Sequence, residues 1–361
     1  MCYKLSMPGE FRRRELVNGR FAVTHVVDDS HAGWRMDRFL KTHYRSLSRN
    51  LLQSYIRDGR VILNRKHLSS TLKASALLRI GDEITVYTDY RREPPVELSF
   101  EVLYEDDDLM VVNKPGNLPV HPAGRYLFHT LLTQLRVQRP DWKGGEKDFF
   151  LVHRLDRETS GVMVVAKKSS IANLLVKQFF ERKTEKKYLA VVFGEPQEAR
   201  FTVDFDLGSD KNSSIRLKMA AFEKGKGEMS ALTEFRKIKT ANSKTLMECL
   251  PKTGRQHQIR VHLASIGYPL VGDKLYGASE EVFLSYLKDT TNNKRWDPAL
   301  NNGYNRHALH SSYLKFFHPT KKDWMEVSCP LPVDLEELLQ PQQTQPRIDY
   351  LSQRQAEIEA F

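Results

Sequence analysis

Residues 151–161 read Leu-Val-His-Arg-Leu-Asp-Arg-Glu-Thr-Ser-Gly and run directly into the apolar stretch Val162–Ala166. A short apolar run that follows a polar loop predicts a buried strand. Asp156 lies between Arg154 and Arg157, so we expect its carboxylate to stay ionised and to be held in place. Such a carboxylate can act as a nucleophile or as a base. Taken alone, however, the loop fits a structural, salt-bridged turn better than a catalytic site.

The charge of the chain is concentrated near its N-terminus. The 361 residues contain 56 Lys and Arg against 45 Asp and Glu, a net charge of +11. Residues 1–92 contribute 18 basic and 9 acidic residues, which is +9 of that total. This asymmetry predicts a front end that binds a polyanion, attached to a more neutral globular body.

The front end has the pattern of a small folded module. Apolar residues recur at helical spacing from Met36, and Ser48 precedes a second helical pattern that stops near Gly59. Short strands are predicted at 61–63 and 83–87. The basic side chains proposed to bind phosphates lie on the polar face of the first helix: Arg38, Lys41 and Arg45.

Beyond the charged and proline-stiffened linker Arg91–Pro95, strand patterns outnumber helical ones and do not alternate strictly with them. We therefore predict an α+β fold with a mixed, mainly antiparallel sheet, behind a small α/β domain suited to phosphate backbones. The predicted organisation is an extension at 1–33, the small domain at 34–92, a larger domain at 93–337 and a polar tail at 338–361. Strands are predicted at 99–103, 109–113, 162–167, 188–193, 231–235 and 244–250, and helices at 171–180 and 256–265.

Several classes of protein are excluded by what the sequence lacks. The N-terminus has no apolar signal-peptide core, and no stretch has the roughly 18 apolar residues of a spanning helix. Three distant cysteines argue against disulfides, and we expect a reduced, cytoplasmic protein. Phosphate-loop, dinucleotide-binding and serine-elbow motifs are missing. His257 and His262 have the wrong helical spacing for a shared metal, so neither cofactor nor metal is predicted.

The polar loop has companions in a fixed order along the chain. Residues 113–122 read Asn-Lys-Pro-Gly-Asn-Leu-Pro-Val-His-Pro, 251–262 read Pro-Lys-Thr-Gly-Arg-Gln-His-Gln-Ile-Arg-Val-His, 272–277 read Gly-Asp-Lys-Leu-Tyr-Gly, and 306–310 read Arg-His-Ala-Leu-His. This ordered set resembles the RluA family of RNA pseudouridine synthases over about residues 93–335. The loop pattern His-Arg-Leu-Asp-x-x-Thr-Ser-Gly is highly specific for that family. The basic front end resembles, by pattern and position, the RNA-binding module first seen in ribosomal protein S-four.

The resemblance implies an isomerase that converts uridine in RNA to pseudouridine without a cofactor. Asp156 matches the catalytic aspartate of the family, and Arg154 matches the arginine that fills the gap left by the flipped base. Tyr188 matches the tyrosine that packs on the uracil, and Arg260 matches the basic partner of the aspartate. These residue types suit the chemistry, because a stacked base must be flipped out, gripped by an aromatic face and kept away from water.

Further side chains are predicted to support the reaction or bind the substrate. Arg255 and His257 fit substrate binding and structural hydrogen bonding equally well. Lys114, Thr159 and Arg306 are predicted to contact phosphate or to support the catalytic residues. The expected partner is RNA, either rRNA or tRNA, with no membrane and no obligate protein partner, and we expect a monomer.

Two other functions stay open from sequence. In a nucleic-acid glycosylase, Asp156 and Glu158 would be the paired carboxylates, and free uracil would be released. In a non-catalytic RNA-binding or assembly factor, Asp156→Asn would leave every cellular phenotype intact.

Overall fold

The computed structural model describes residues 4–5, 12–17, 20–44, 47–65, 72–89, 93–123, 126–139, 148–291 and 304–340. Arg45 and the predicted tail beyond Gln340 lie outside these ranges. The chain divides into two compact units: the first comprises 1–96, 121–150 and 167–169, and the second 97–120, 151–166 and 170–361.

The first unit includes residues that the sequence analysis assigned to the catalytic domain. Glu93, which belongs to the predicted linker 91–95, is buried. Its carboxylate accepts hydrogen bonds from the backbone N–H groups of Phe128 and His129, both at 2.8 Å. This buried carboxylate ties residues 128–129 to the end of the front module, so the boundary near residue 93 differs from the prediction.

The front module is a five-stranded antiparallel sheet with two helices. Its elements are β1 (Lys4–Leu5), β2 (Arg12–Val17), β3 (Arg20–Val26), α1 (Met36–His43), α2 (Arg49–Arg57), β4 (Val61–Asn64) and β5 (Glu83–Asp89), with sheet order β1-β2-β3-β5-β4. Phe39 and Leu40 of α1 pack with Leu52 and Ile56 of α2 in one buried cluster. The Ser48 hydroxyl accepts from the Leu51 N–H at 3.2 Å, which caps α2 as its sequence predicts.

The extension predicted for residues 1–33 is wrong, because β1, β2 and β3 within it are strands of the front sheet. Strand β3 pairs with β5 along its whole length, and Ala22 and Val23 are buried. The strand was missed because its buried positions, Ala22, Val23 and His25, do not alternate regularly with exposed ones.

The remaining elements form mainly the second unit. They are β6 (Glu101–Glu105), β7 (Leu109–Lys114), α3 (Leu131–Gln138, in the first unit), β8 (Phe150–Leu151), β9 (Ser160–Ala166), α4 (Ser169–Phe180), β10 (Glu185–Phe193), β11 (Arg200–Val203), β12 (Asp206–Ser209), β13 (Met219–Phe222), β14 (Thr233–Ala241), β15 (Lys244–Pro251), α5 (Gln258–Ser265), α6 (Glu280–Thr291), β16 (Leu309–Phe317), β17 (Trp324–Ser328) and α7 (Val333–Glu336).

The second unit is built on one large sheet of order β11-β14-β15-β10-β16-β9-β7-β6, with β17 beside β16, and β12 and β13 form a separate hairpin. Neighbouring strands in this order are antiparallel except β9 and β16, which run parallel. This confirms the predicted α+β fold with a mixed, mainly antiparallel sheet. No helix in the described ranges has both the length and the apolar character needed to cross a bilayer.

The parallel pair β9–β16 fixes the end of the polar loop. All seven residues of β9 are buried, and Gly161 faces Ser311 across the pair. Gly161 has a φ of 115°, and a Cβ there would lie 2.2 Å from the Ser311 carbonyl oxygen. Only glycine satisfies both conditions, so the sheet itself positions the loop that ends in Thr-Ser-Gly.

Candidate active site

A buried cation, Lys114, holds the loop 153–159 by hydrogen bonds to backbone carbonyl oxygens. Lys114 is fully buried, and its ammonium donates to the carbonyl oxygens of Pro115, Leu118 and Arg157 at 2.8, 2.9 and 3.0 Å. An ammonium has three hydrogens to donate, so these three bonds satisfy it. Of the two roles predicted for Lys114, phosphate contact and support of the catalytic residues, these bonds fit support of the loop.

The second half of the loop is held by polar side chains. The Thr159 hydroxyl lies 2.8 Å from Nε2 of His307, and the Thr159 N–H donates to the Asp156 carbonyl at 3.1 Å. Glu158 accepts from Lys274 at 3.1 Å and from the His307 N–H at 3.0 Å. These bonds hold a turn directly after Asp156 and so fix the direction of the Asp156 side chain.

Arg306 also supports the loop. Its guanidinium binds both carboxylate oxygens of Asp334, at 2.6 and 2.9 Å, and donates to the Glu158 carbonyl at 3.1 Å. Of the two roles predicted for Arg306, these contacts fit support of the catalytic loop, because its donors have partners within the chain.

Asp156 is anchored through one of its two carboxylate oxygens. Oδ2 accepts from Nη1 of Arg260 at 2.8 Å, whereas Oδ1 lies 3.9 Å from Nε2 of His257 and accepts no hydrogen bond from a described residue. Burial acts to raise the pKa of Asp156, but the charge and hydrogen bond of Arg260, together with the nearby His257 and His307, outweigh burial and hold this pKa well below its usual range. Asp156 is therefore an anion at neutral pH, with Oδ1 left for a ligand.

Arg260 is in turn fixed by Asp273, a residue to which the sequence analysis gave no role. Nε and Nη2 of Arg260 donate to the two carboxylate oxygens of Asp273 at 2.7 and 2.9 Å. Asp273 is buried, and its Oδ1 also accepts the N–H groups of Leu275 and Tyr276 at 3.0 and 3.1 Å. The bidentate pair fixes the guanidinium plane, so that Nη1 is directed at Asp156. The only sequence signal for Asp273 is its place in the Gly-Asp-Lys-Leu-Tyr-Gly stretch.

His257 and Tyr276 form a second pair beside Asp156. His257 precedes α5 with a left-handed φ of 56°, and its Nδ1 lies 2.7 Å from the Tyr276 hydroxyl. That hydroxyl also accepts the Met219 N–H at 3.0 Å. Burial, assisted by the charge of Arg260, lowers the pKa of His257 to about 4. The imidazole is therefore neutral at pH 7, and Arg260 is the cation that neutralises Asp156.

Tyr188 lines the same cavity as Asp156. Burial raises the pKa of Tyr188 to about 12, so its phenol stays protonated at neutral pH. Ser311 lies directly opposite Tyr188 in the pairing of β10 with β16. The Ser311 hydroxyl donates to the Val162 carbonyl at 3.2 Å, which ties this position to the central strands.

One cavity brings together most of the predicted site residues. Its wall includes Arg154, Asp156, Tyr188, Arg255, His257 and Arg260, together with Thr159 at its floor. Lys186 also lines it and was missed by the sequence analysis. Arg38 and Lys41 belong to the first unit and do not line this cavity, and Arg45 lies outside the described residues. Within the described ranges no group of three His, Cys, Asp or Glu side chains is arranged to hold a metal ion.

The environment of His153 predicts how stability depends on acid pH. His153 accepts the Val164 N–H at 3.0 Å and stacks on Phe179, and burial lowers the pKa of His153 to about 3. An unfolded histidine titrates near pH 6.5. Between these values the unfolded chain binds the extra proton, so the stability contributed by His153 is present above about pH 6.5 and is lost as the pH falls towards 3. We expect the free energy of unfolding to fall less steeply with decreasing pH in His153→Gln than in the wild type. Below pH 6 the two slopes should differ by about 1 kcal/mol per pH unit.

Urea unfolding of both proteins between pH 7 and pH 5 measures this difference. Glutamine keeps an acceptor for the Val164 N–H but does not titrate, so it isolates the proton uptake. Parallel curves for the two proteins would show that His153 takes up its proton at the same pH in the folded and the unfolded chain.

Comparisons with known proteins agree with the site. The profile described as RNA pseudouridylate synthase matches residues 108–265. A Bacillus subtilis protein named uncharacterized RNA pseudouridine synthase YlyB is 34% identical over 314 residues, covering 85% of this chain and 93% of the relative. The ribosomal large subunit pseudouridine synthase D of Xanthomonas campestris is 35% identical over 317 residues, covering 87% of this chain and 90% of the relative.

A solved structure shares the fold. Human RNA Pseudouridylate Synthase Domain Containing 1 superposes with a TM-score of 0.52 at 26% identity, covering 73% of this chain and 97% of that protein. The relatives are similar over nearly their whole length, and the profile spans both the Asp156 loop and the helix that carries Arg260. The chain therefore belongs to the RluA family of RNA pseudouridine synthases.

Proposed function

We propose that this isomerase converts uridine to pseudouridine in large-subunit ribosomal RNA, with Asp156 acting at the anomeric carbon of the flipped nucleotide. The choice of ribosomal over transfer RNA rests on the curated relatives, several of which are named for the large ribosomal subunit. The observation that carries the catalytic assignment is Oδ1 of Asp156. This oxygen belongs to an ionised carboxylate and accepts no hydrogen bond from a described residue. It lies in a cavity that Tyr188 also lines.

The role of Asp156 follows from the charge that develops during the reaction. When the bond between uracil and ribose breaks, its electron pair goes to the uracil, and positive character appears on the anomeric carbon. A fixed carboxylate beside that carbon stabilises the positive charge. Arg260 keeps Asp156 ionised, and Asp273 keeps Arg260 from rotating away.

Tyr188 and Arg154 are proposed to handle the base. Tyr188 offers an aromatic face on which the detached uracil can stack while it turns. Arg154 is exposed at the cavity, and its side chain makes no hydrogen bond or salt bridge with a described residue. A long planar cation of this kind can occupy the gap that a flipped base leaves in an RNA helix.

The glycosylase alternative is not favoured by the position of Glu158. Glu158 is engaged by Lys274, Arg157 and the His307 N–H. Burial acts to raise the pKa of Glu158, but the two cations outweigh it and lower the pKa to about 2. A general acid must carry a proton at the working pH, and Glu158 does not. It also lies outside the set of residues that line the cavity.

Pseudouridine mapping tests the proposed substrate. Ribosomal and transfer RNA from cells with and without the gene are compared, and the strain lacking it is complemented with the wild-type or the Asp156→Asn chain. We expect one or more large-subunit positions to lose pseudouridine and to regain it only with the wild type. Loss confined to transfer RNA would refute the ribosomal assignment, and no change in any RNA would refute the function.

The front module is proposed to add affinity for RNA. Arg38 is exposed, with its guanidinium 4.0 Å from the ring centre of Trp34, while Lys41 donates to the Leu47 carbonyl at 2.7 Å. Replacing Arg38, Lys41 and Arg45 together is expected to flatten the plot of log affinity against log salt concentration by about three units at most.

Filter binding to large-subunit RNA at increasing KCl measures that slope. The control replaces three exposed lysines of the second unit, Lys211, Lys224 and Lys226, and so removes the same charge. Equal slopes for the two triple variants would remove the front module from RNA binding. The chain is further proposed to act as a cytoplasmic monomer, which gel filtration and cell fractionation would test.

A further inference from the structure

Lys186 is a further cation of the active-site cavity, with no role in the proposed chemistry at the anomeric carbon. It lies two residues before Tyr188 in β10, and it lines the same cavity as Asp156. Its ammonium sits against the turn that leads into α5, because a Cβ added at Gly254 would lie 3.3 Å from the Lys186 nitrogen. Because Gly254 has no side chain, the Lys186 ammonium can lie against its backbone.

The Lys186 ammonium has no counter-ion in the described part of the chain. It makes no salt bridge and no side-chain hydrogen bond with a described residue. Burial lowers the pKa of Lys186, which reflects lost hydration that no carboxylate replaces. A cation that is largely removed from water gains when an anion joins it.

The cavity as a whole has an excess of positive charge. Arg154, Lys186, Arg255 and Arg260 line it, four cations in all, while the carboxylates available to them are Asp156 and Asp273. Both carboxylates are bound to Arg260, so the remaining three cations face no acidic partner on the cavity wall. A flipped nucleotide brings a phosphodiester on each side of its ribose, and these are the anions that such a wall fits.

We propose that Lys186 binds the phosphodiester next to the target uridine and thereby sets the position of the ribose relative to Asp156. This inference rests on the proposed entry of a flipped uridine into the cavity. Lysine is a point-charge ligand for phosphate, and here its stem is held by the sheet. Lys186 is accordingly a binding and positioning residue and takes no part in bond making.

The neighbouring lysine provides a matched control. Lys187 carries the same charge on the same strand, but it lines a different cavity on the sheet, and its ammonium lies 4.6 Å from the ring centre of Tyr313. Lys186→Met and Lys187→Met therefore remove equal charge one residue apart. Lys186→Arg keeps the charge and tests rescue.

The rates are measured as tritium released from ring carbon 5 of uridine. The substrate is labelled total RNA from cells lacking the gene, at limiting concentration and increasing KCl. We expect Lys186→Met to lower the rate about 10- to 100-fold and to flatten its logarithmic salt dependence by about 0.7 to 0.9 units. Lys187→Met should stay within about twofold of wild type, as surface changes usually do, and Lys186→Arg should recover most of the activity.

Two outcomes would overturn the proposal, and a third would separate it from the proposed function. Equal rates for the two methionine variants would exclude a special role for Lys186. A large loss with an unchanged salt slope would show that Lys186 acts on the fold or on the uracil instead of a phosphate. If wild type released no tritium from any RNA, the proposed function would fail, and filter binding of the same RNA would still decide the phosphate contact from the salt slopes.

Discussion

Asp156→Asn is expected to lower the rate of pseudouridine formation at least about 10⁴-fold, as removal of a central catalytic group commonly does, while folding and RNA binding persist. Asparagine keeps the size of the side chain and an oxygen to accept from Arg260, but it removes the negative charge that the anomeric carbon requires. Arg260 stays neutralised in this variant, because Asp273 binds it through two hydrogen bonds. The lost activity therefore reports chemistry and not unfolding.

A second aspartate serves as the control for that experiment. Asp107 is exposed in the turn between β6 and β7 of the same unit, so Asp107→Asn removes the same charge away from the cavity. We expect it to keep full activity. Tritium release gives the rates, filter binding gives the affinity, and circular dichroism gives the folded state. An Asp156→Asn protein that kept even a tenth of the wild-type rate would exclude Asp156 as the catalytic carboxylate.

Arg260→Met is expected to abolish activity and to lower the free energy of unfolding by about 3–5 kcal/mol. The guanidinium is the shared partner of two carboxylates, at 2.8 Å from Asp156 and at 2.7 and 2.9 Å from Asp273. Its removal leaves the fully buried Asp273 with two backbone N–H groups but without a cation. Uncompensated buried charge is among the largest destabilising effects of a single substitution.

A double variant separates the two consequences. Adding Asp273→Leu to Arg260→Met removes the stranded charge, so part of the lost stability should return while activity stays absent. Arg260→Lys should fold better than Arg260→Met but react slowly, since one ammonium cannot bind Asp273 at two points and also reach Asp156. Urea unfolding and tritium release test both statements. If the double variant were less stable than Arg260→Met, the unpaired charge of Asp273 would not be the cause of the lost stability.

The second unit shows how far local patterns determine a fold. The predicted strands at 109–113 and 244–250 correspond to β7 and β15, because their apolar residues are contiguous or alternate, and the predicted helix at 171–180 corresponds to α4. The helix predicted at 256–265 begins instead at Gln258, since His257 takes a left-handed conformation that no spacing rule reveals. The front strand β3 was missed because its pairing with β5 involves residues about sixty positions away.

The cavity shows where sequence reasoning stops. Asp156 and Arg260 are 104 positions apart, and only the resemblance to a known family suggested that they meet. Asp273 is marked only by its place in the Gly-Asp-Lys-Leu-Tyr-Gly stretch, and Lys186 carries no local signal that separates it from any other charged residue. For Lys114 and Arg306 the sequence left two roles open, contact with phosphate and support of the catalytic residues. Nothing in a sequence distinguishes a cation on the surface from one whose hydrogens are donated to carbonyl oxygens of distant loops.

The most direct test follows both fates of the target base in one reaction. RNA carrying tritium at ring carbon 5 of uridine and radiocarbon within the ring is incubated with the wild-type chain, and water, free uracil and polymer are counted separately. Isomerisation predicts tritium in the water, all radiocarbon still in the polymer and an equal yield of pseudouridine after digestion. Radiocarbon released as free uracil, or tritium that stays on the ring, would contradict the account.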